Sequence, residues 1–150
     1  MQVGLGSFGR KWMEVILEDG EWEYSAIATR DDKVRDESGD LCGLPDGARF
    51  TSLGEMLASS EDADAVLVTT PYFLHAEQVL ESLKHGMNVL VEKPLCASME
   101  EAYRIRDAVR ESGKTLMGAE NYRFSPGSVL MHDLVTAGEI GDPETIFIQY

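Results

Sequence analysis

Apolar positions along the chain alternate between two periods. Ala65-Val66-Leu67-Val68-Thr69-Thr70 is apolar almost throughout, the pattern of a strand buried on both faces. Asn88-Val89-Leu90-Val91-Glu92-Lys93 repeats that pattern and stops at Pro94. Between them Ala76, Val79, Leu80 and Leu83 fall at i, i+3, i+4 and i+7, which predicts a helix over 73–85 ended by Gly86. Upstream, Trp12, Val15 and Ile16 share one face of a helix over 10–18, with Gly20 at its end, and Tyr24–Thr29 reads as a strand. Residues 30–47 are charged and rich in turn residues, so they predict a loop with at most a poor short helix. A short strand follows at Ala48–Phe50. Ser52 and Glu55 form a capping box that opens a helix to about residue 59. Ser98 and Glu101 form a second box, opening a helix to about 112 that Gly113 ends; Thr115–Glu120 reads as another strand. Strands alternating with helices imply parallel βαβ units with right-handed crossovers. The predicted fold class is α/β, a doubly wound Rossmann-type sheet of about six strands.

The pattern changes after residue 121. Ser125-Pro126 suits an N-cap followed by proline at the first helical position, and Leu130, Met131, Leu134 and Val135 form one face. Gly138 and Gly141-Asp142-Pro143 break the chain, and Thr145–Tyr150 reads as a strand. The expected division is a nucleotide-binding domain over 1–121 and the beginning of a second α/β domain over 122–150.

Composition narrows the function classes. The 150 residues carry a net charge of −14, which argues against a nucleic-acid partner, because nothing offsets repulsion from phosphates. No apolar run approaches the roughly 18 residues of a membrane span, and no basic-then-apolar leader opens the chain. A cytoplasmic protein with no membrane partner is expected. Cys42 and Cys96 form no metal-type spacing with His75, His85 or His132, so two reduced thiols and no metal site are expected.

Candidate chemistry begins at Gly4-Leu5-Gly6-Ser7-Phe8-Gly9, spaced G-x-G-x-x-G. Gly4 permits a tight turn, Gly6 lets backbone approach a pyrophosphate, and Gly9 allows close helix–strand packing. The helix is expected to start near Arg10 and to present free N–H groups to phosphate. Three residues precede Gly4, about half a usual strand, so the turn is expected to be weakly anchored. About 20 residues past the glycines, where NAD-binding folds carry an acid, stand Thr29 and Arg30. A hydroxyl and a guanidinium favour the 2′-phosphate of NADP over NAD; the alternative gives the acidic role to Asp31 or Asp32. Glu92-Lys93-Pro94 lies at a strand's carboxyl end, where open α/β sheets place ligands, although a surface ion pair gives the same pattern. Thr70-Pro71 and His75 occupy a similar position; a packing histidine is the alternative. Asn121-Tyr122-Arg123-Phe124 follows another strand end, as an ordinary boundary loop also would.

Together, in order, these stretches resemble the Gfo/Idh/MocA family of oxidoreductases. The matching pieces are Gly4–Gly9, Asp64-Ala65-Val66 leading to Thr70-Pro71 and His75, Gly86–Pro94, Asn121–Pro126, and Gly138-Glu139-Ile140-Gly141. The resemblance implies hydride transfer between a nicotinamide and a sugar, cyclitol or similar polyol, in a homo-oligomer whose second domain supplies much of the substrate pocket. It assigns the pyrophosphate to the backbone around Gly4, Gly6, Ser7, Phe8 and Gly9, and the adenosine ribose or its phosphate to Thr29 and Arg30. Thr70, Pro71, His75, Glu92, Asn121 and Arg123 would border the cofactor. Lys93 would lie near the nicotinamide and the substrate oxygen, where an ammonium stabilises developing negative charge. Tyr72 stands where the family often has Asn. The family's general base lies beyond residue 150, so these residues alone are expected to bind cofactor weakly and to turn nothing over. A non-catalytic nucleotide-binding or interaction protein, and a biliverdin-reductase-like enzyme, share the same core.

Overall fold

The computed structural model describes residues 1–59 and 62–147, in two compact units, Met1–Ala119 and Glu120–Tyr150. The first unit is a six-stranded sheet of β1 (Gln2–Val3), β2 (Ile27–Ala28), β3 (Arg49–Phe50), β4 (Ala65–Val68), β5 (Asn88–Val91) and β6 (Leu116–Gly118). Every pairing is parallel and the order is β3-β2-β1-β4-β5-β6. Successive strands therefore run outward from β1 to one edge and from β4 to the other. The crevice at the carboxyl ends of β1 and β4 is the position such sheets use for ligands.

Alternation along the strands serves both faces. Val3, Ala26, Ala28, Val66, Val68, Val89 and Val91 pack with helix residues Val79, Leu83 and Ile105 on one side. Leu5, Ile27, Met13 and Leu44 cluster separately. The strands are shorter than the apolar runs predict. Tyr24–Thr29 pairs as a strand only at Ile27–Ala28, and the runs at 65–70, 88–93 and 115–120 stop pairing after Val68, Val91 and Gly118. Thr69, Glu92 and Ala119 each still donate a backbone N–H to the neighbouring strand, and of the trailing residues Thr69 and Thr70 line the crevice.

The helices follow their caps. In α1 (Ser7–Asp19) the chain turns helical three residues before Arg10, because Gly6 is extended and its carbonyl accepts the Arg10 N–H at 2.9 Å. The segment expected as loop contains a ten-residue helix, α2 (Asp32–Leu41). Asp31 caps it by accepting the Val34 N–H at 3.0 Å, and Asp32 pairs with Arg35 at 2.7 Å. Its inward face is Ser38 and Gly39; a Cβ on Gly39 would lie 2.2 Å from Arg49 Nε. Arg49 fills that notch, donates to the Leu44 carbonyl and pairs with Asp40 at 2.8 Å. Packing on an arginine rather than an apolar stripe hid this helix from the hydrophobic pattern. In α3 (Leu53–Ser59) the capping box is formed: Ser52 Oγ accepts the Glu55 N–H, and the Glu55 carboxylate accepts the Thr51 N–H and hydroxyl. Those bonds hold the Glu55 carboxyl below its ordinary pKa. A 3-10 turn over Tyr72–Leu74 precedes α4 (His75–Lys84), and Ser98 caps α5 (Met99–Ser112).

In the second unit a 3-10 turn, Asn121–Phe124, leads to α6 (Pro126–Thr136), which Ser125 caps through the Ser128 N–H. Gly138 and Gly141 adopt positive φ. Of the strand expected over 145–150, residues 145–147 are not in a strand, and 148–150 lie outside the described residues.

Candidate functional site

The three fingerprint glycines are each required for a different reason. Gly4 has φ +88°, and a Cβ there would meet Thr70 N at 2.7 Å. A Cβ on Gly9 would lie 2.2 Å from the Gly4 carbonyl oxygen, so only glycine lets α1 sit this close to the turn. A Cβ on Gly6 would meet no atom within 4 Å. The space in front of Gly6 is open, at the N-terminus of α1, whose first-turn N–H groups lack helical acceptors. That turn carries no acidic side chain. A diphosphate fits such a cradle by charge and by space.

The turn is firmly anchored, contrary to what the short strand before it suggests. Gln2, fully buried on β1, donates from Nε2 to the Gly9 carbonyl at 2.9 Å and to Thr69 Oγ1 at 3.0 Å. Its Oε1 accepts the Tyr24 hydroxyl, whose proton is retained because burial, and then the nearby Cys42, push the Tyr24 pKa up. Thr69 Oγ1 also hydrogen-bonds the Gly4 carbonyl. β1 is bonded on both sides: Gly4 N–H donates to the Ala28 carbonyl, and Thr69 N–H to that of Val3. Long-range hydrogen bonds replace the missing strand length.

A cavity of about 590 Å³ opens in front of the turn. Gly4, Gly6, Ser7 and Phe8 form one wall, Thr29, Arg30 and Asp31 another, and Thr70, Pro71 and Gln78 a third. Thr70 Oγ1 is tied to Gln78 Oε1. Gln2 and Gln78 belong to no motif that the sequence displays. The signal for Gln2 was a polar residue in a strand otherwise buried, which must point its amide at something specific.

At the end of β2 the two carboxylates that could replace Arg30 are engaged elsewhere. Asp31 caps α2, and Asp32 pairs with Arg35. Arg30 is exposed and makes no hydrogen bond or ion pair among the described residues of the Met1–Ala119 unit.

His75, Glu92 and Lys93 are placed differently from the cavity residues. His75 is 1% exposed, with Nδ1 2.8 Å from the Pro94 carbonyl oxygen and Nε2 2.7 Å from that of Thr70. It joins the ends of β4 and β5 through backbone and does not line the cavity. Glu92 is buried, not part of a surface ion pair. Its Oε1 accepts the Trp12 indole N–H at 2.7 Å, and its Oε2 accepts the Lys93 N–H at 2.9 Å. Lys93 is exposed, with Nζ 5.5 Å from the centroid of the Phe8 ring. Asn121 and Arg123 belong to the 3-10 turn of the second unit. Two further cavities, one near Ala26 and Phe50 and one near Trp12 and Met117, lack both a glycine cradle and a free cation.

Comparison with known proteins agrees with this architecture. The model of the oxidoreductase family with an NAD-binding Rossmann fold, Gfo/Idh/MocA, matches residues 2–120. D-xylose 1-dehydrogenase (NADP(+)) 2 of Haloferax volcanii is 36% identical over 141 residues, covering 93% of this chain and 42% of that protein. Inositol 2-dehydrogenase 3 of Saccharopolyspora erythraea is 41% identical over 98 residues, 65% of this chain and 29% of that one. The WlbA dehydrogenase of Bordetella pertussis, solved with NADH and UDP-GlcNAcA, superposes with a TM-score of 0.84 at 27% identity over 93% of this chain and 42% of its own. The chain thus spans less than half the length of these relatives. No helix among the described residues is long and apolar enough to cross a membrane. The match over residues 2–120, together with the parallel sheet and its glycine turn, places the chain in the Gfo/Idh/MocA oxidoreductase family, with that family's NAD-binding Rossmann fold.

Proposed function

We propose that the protein is a dehydrogenase that prefers NADP and moves hydride between its nicotinamide and a secondary alcohol of a sugar, cyclitol or similar polyol. One observation carries this reading. The Lys93 ammonium, without a carboxylate partner among the described residues of its unit, lies over the ring of Phe8, a residue of the phosphate turn itself. A cation next to the cofactor cradle suits an alcohol oxygen that gains negative charge as its hydride leaves. The turn from Gly4 to Gly9 binds the pyrophosphate, Thr29 and Arg30 the ribose 2′-phosphate, and Thr70 and Pro71 the adjoining part of the cofactor. Residues 1–121 form the cofactor domain and 122–150 open a substrate domain, in a cytoplasmic homo-oligomer. The xylose dehydrogenase relative, named for NADP(+), supports the cofactor preference.

The test is a fluorescence titration of this chain with NADPH and NADH, paired with Arg30→Ala. Loss of a charge-assisted bond weakens NADPH by about tenfold or more and leaves NADH unchanged. Equal losses for both cofactors would remove the 2′-phosphate role. Substrate class is tested by NADPH formation with the whole protein across a panel of sugars and cyclitols. Silence on every polyol while NADP binds would refute it.

A further inference from the structure

We propose that Phe8 and Trp12 are positioning residues that hold the Lys93 ammonium and the Glu92 carboxylate apart. The inference rests on the assignment of Lys93 to the catalytic centre and adds how its charge is kept available. Phe8 and Trp12 stand at i and i+4 in α1, one above the other on the same helix face. Glu92 and Lys93 are neighbours just past the carboxyl end of β5. An adjacent carboxylate is the most accessible partner for an ammonium, and an ion pair would neutralise the field that a substrate oxygen needs. The structure prevents that pair twice over. Trp12 donates its indole N–H to Glu92 Oε1 at 2.7 Å, and the Lys93 backbone N–H occupies Oε2 at 2.9 Å. With both oxygens bonded and the residue 8% exposed, the carboxylate is held largely away from solvent. One turn earlier the Phe8 ring receives the Lys93 ammonium, with Nζ 5.5 Å from its centroid, inside cation–π range. Lys11 Nζ lies 5.6 Å from the same ring and shares the interaction. The helix that opens at the phosphate cradle thereby also sorts the charges at the end of β5.

Trace acetylation of the five lysines with acetic anhydride, read peptide by peptide in a mass spectrometer, tests this without cofactor. Failure here is therefore distinct from failure of cofactor binding, which the titration reads. Trp12→Phe releases Glu92 onto Lys93 and slows acetylation of Lys93 by about two- to fivefold, with Lys33, Lys84 and Lys114 unchanged. Phe8→Leu removes the ring and speeds Lys93 and Lys11 by about two- to fivefold. Glu92→Gln keeps an oxygen for the indole and leaves Lys93 at its original rate, and adding it to Trp12→Phe restores that rate. A helix merely loosened by either aromatic substitution moves Lys93 in the same direction in both variants, so opposite signs are the signature. The proposal falls if Trp12→Phe leaves Lys93 unchanged, if the double variant stays slow, or if Glu92→Gln alone accelerates Lys93, which would mean the ion pair already exists. Should Trp12→Phe unfold the chain, all five lysines accelerate together, and Glu92→Gln alone decides.

Discussion

Gln2 Nε2 lies 2.9 Å from the carbonyl oxygen of Gly9, so a side chain on a two-residue strand holds the far end of the phosphate turn. The same amide reaches Thr69, just past the end of β4, and receives the Tyr24 hydroxyl, tying three segments to one buried group. Gln2→Met keeps length and volume but removes both donors and the acceptor. Leaving the half-buried Tyr24 hydroxyl and its neighbours unpaired costs about 1–3 kcal/mol. Urea unfolding is expected to show a lower midpoint with an unchanged slope, and NADPH affinity is expected to fall with it. An unchanged midpoint would mean the turn is anchored by the strand ladder alone.

Gly6 and Gly9 separate binding from folding. Alanine at Gly9 puts a methyl 2.2 Å from the Gly4 carbonyl, and backbone must move to admit it. Gly9→Ala is expected to destabilise the chain by about 2 kcal/mol or more, as overpacking does. Gly6 has an extended conformation open to any residue and no neighbour within 4 Å of the added methyl. Gly6→Ala is expected to unfold within about 1 kcal/mol of wild type while losing at least tenfold in NADPH affinity, because the methyl fills the cradle. Equal stability losses in the two variants would contradict the close-packing role of Gly9.

The sheet was legible because its strands are buried on both faces and its helices carry caps: Ser52, Ser98, Ser125 and the terminal glycines all do locally what their sequence predicts. Helix α2 was not legible, since its inner face is a glycine notch filled by Arg49, an interaction thirteen residues from Asp36 that no local period encodes. In the site, the glycine turn and Arg30 could be found by spacing. The roles of Gln2 and Trp12 could not, because each acts through a partner in another element: Gly9 and Glu92. His75 shows the same limit from the other side. Its position in the chain points to the crevice, while its ring is spent on two backbone carbonyls.

Asp31 sits beside Arg30 and faces a conflict if a 2′-phosphate binds there. Its carboxylate caps α2, yet its charge repels phosphate across the same cavity wall. Asn is as good an N-cap as Asp and carries no charge. Asp31→Asn is expected to retain the thermal midpoint and to tighten NADPH about two- to fivefold, the range of an exposed charge pair, with NADH unchanged. Tightening of both cofactors alike would show that the carboxylate does not face the 2′ position.

Alkaline stability provides a check on the packing behind the turn. Burial pushes the Cys42 thiol up from 9.0 to about 11, and burial followed by the charge of Cys42 raises Tyr24. Each group is an acid whose folded pKa exceeds its unfolded one. Above about pH 9 the unfolded chain releases the Cys42 proton while the folded chain keeps it, so the folded state binds more protons and unfolding becomes easier as pH rises. The stability is full below pH 9 and is lost progressively towards pH 11, with Tyr24 extending the loss upward. Thermal midpoints between pH 8 and pH 11 should therefore fall less steeply in Cys42→Ala than in wild type, both because the thiol is gone and because Tyr24 no longer faces a thiolate. Alkylation of Cys42 at pH 8 should be slow in the folded chain and fast in urea. A Cys42→Ala profile parallel to wild type would show that the thiol is solvated and that the cluster of Leu5, Met13, Ile27 and Leu44 does not close over it.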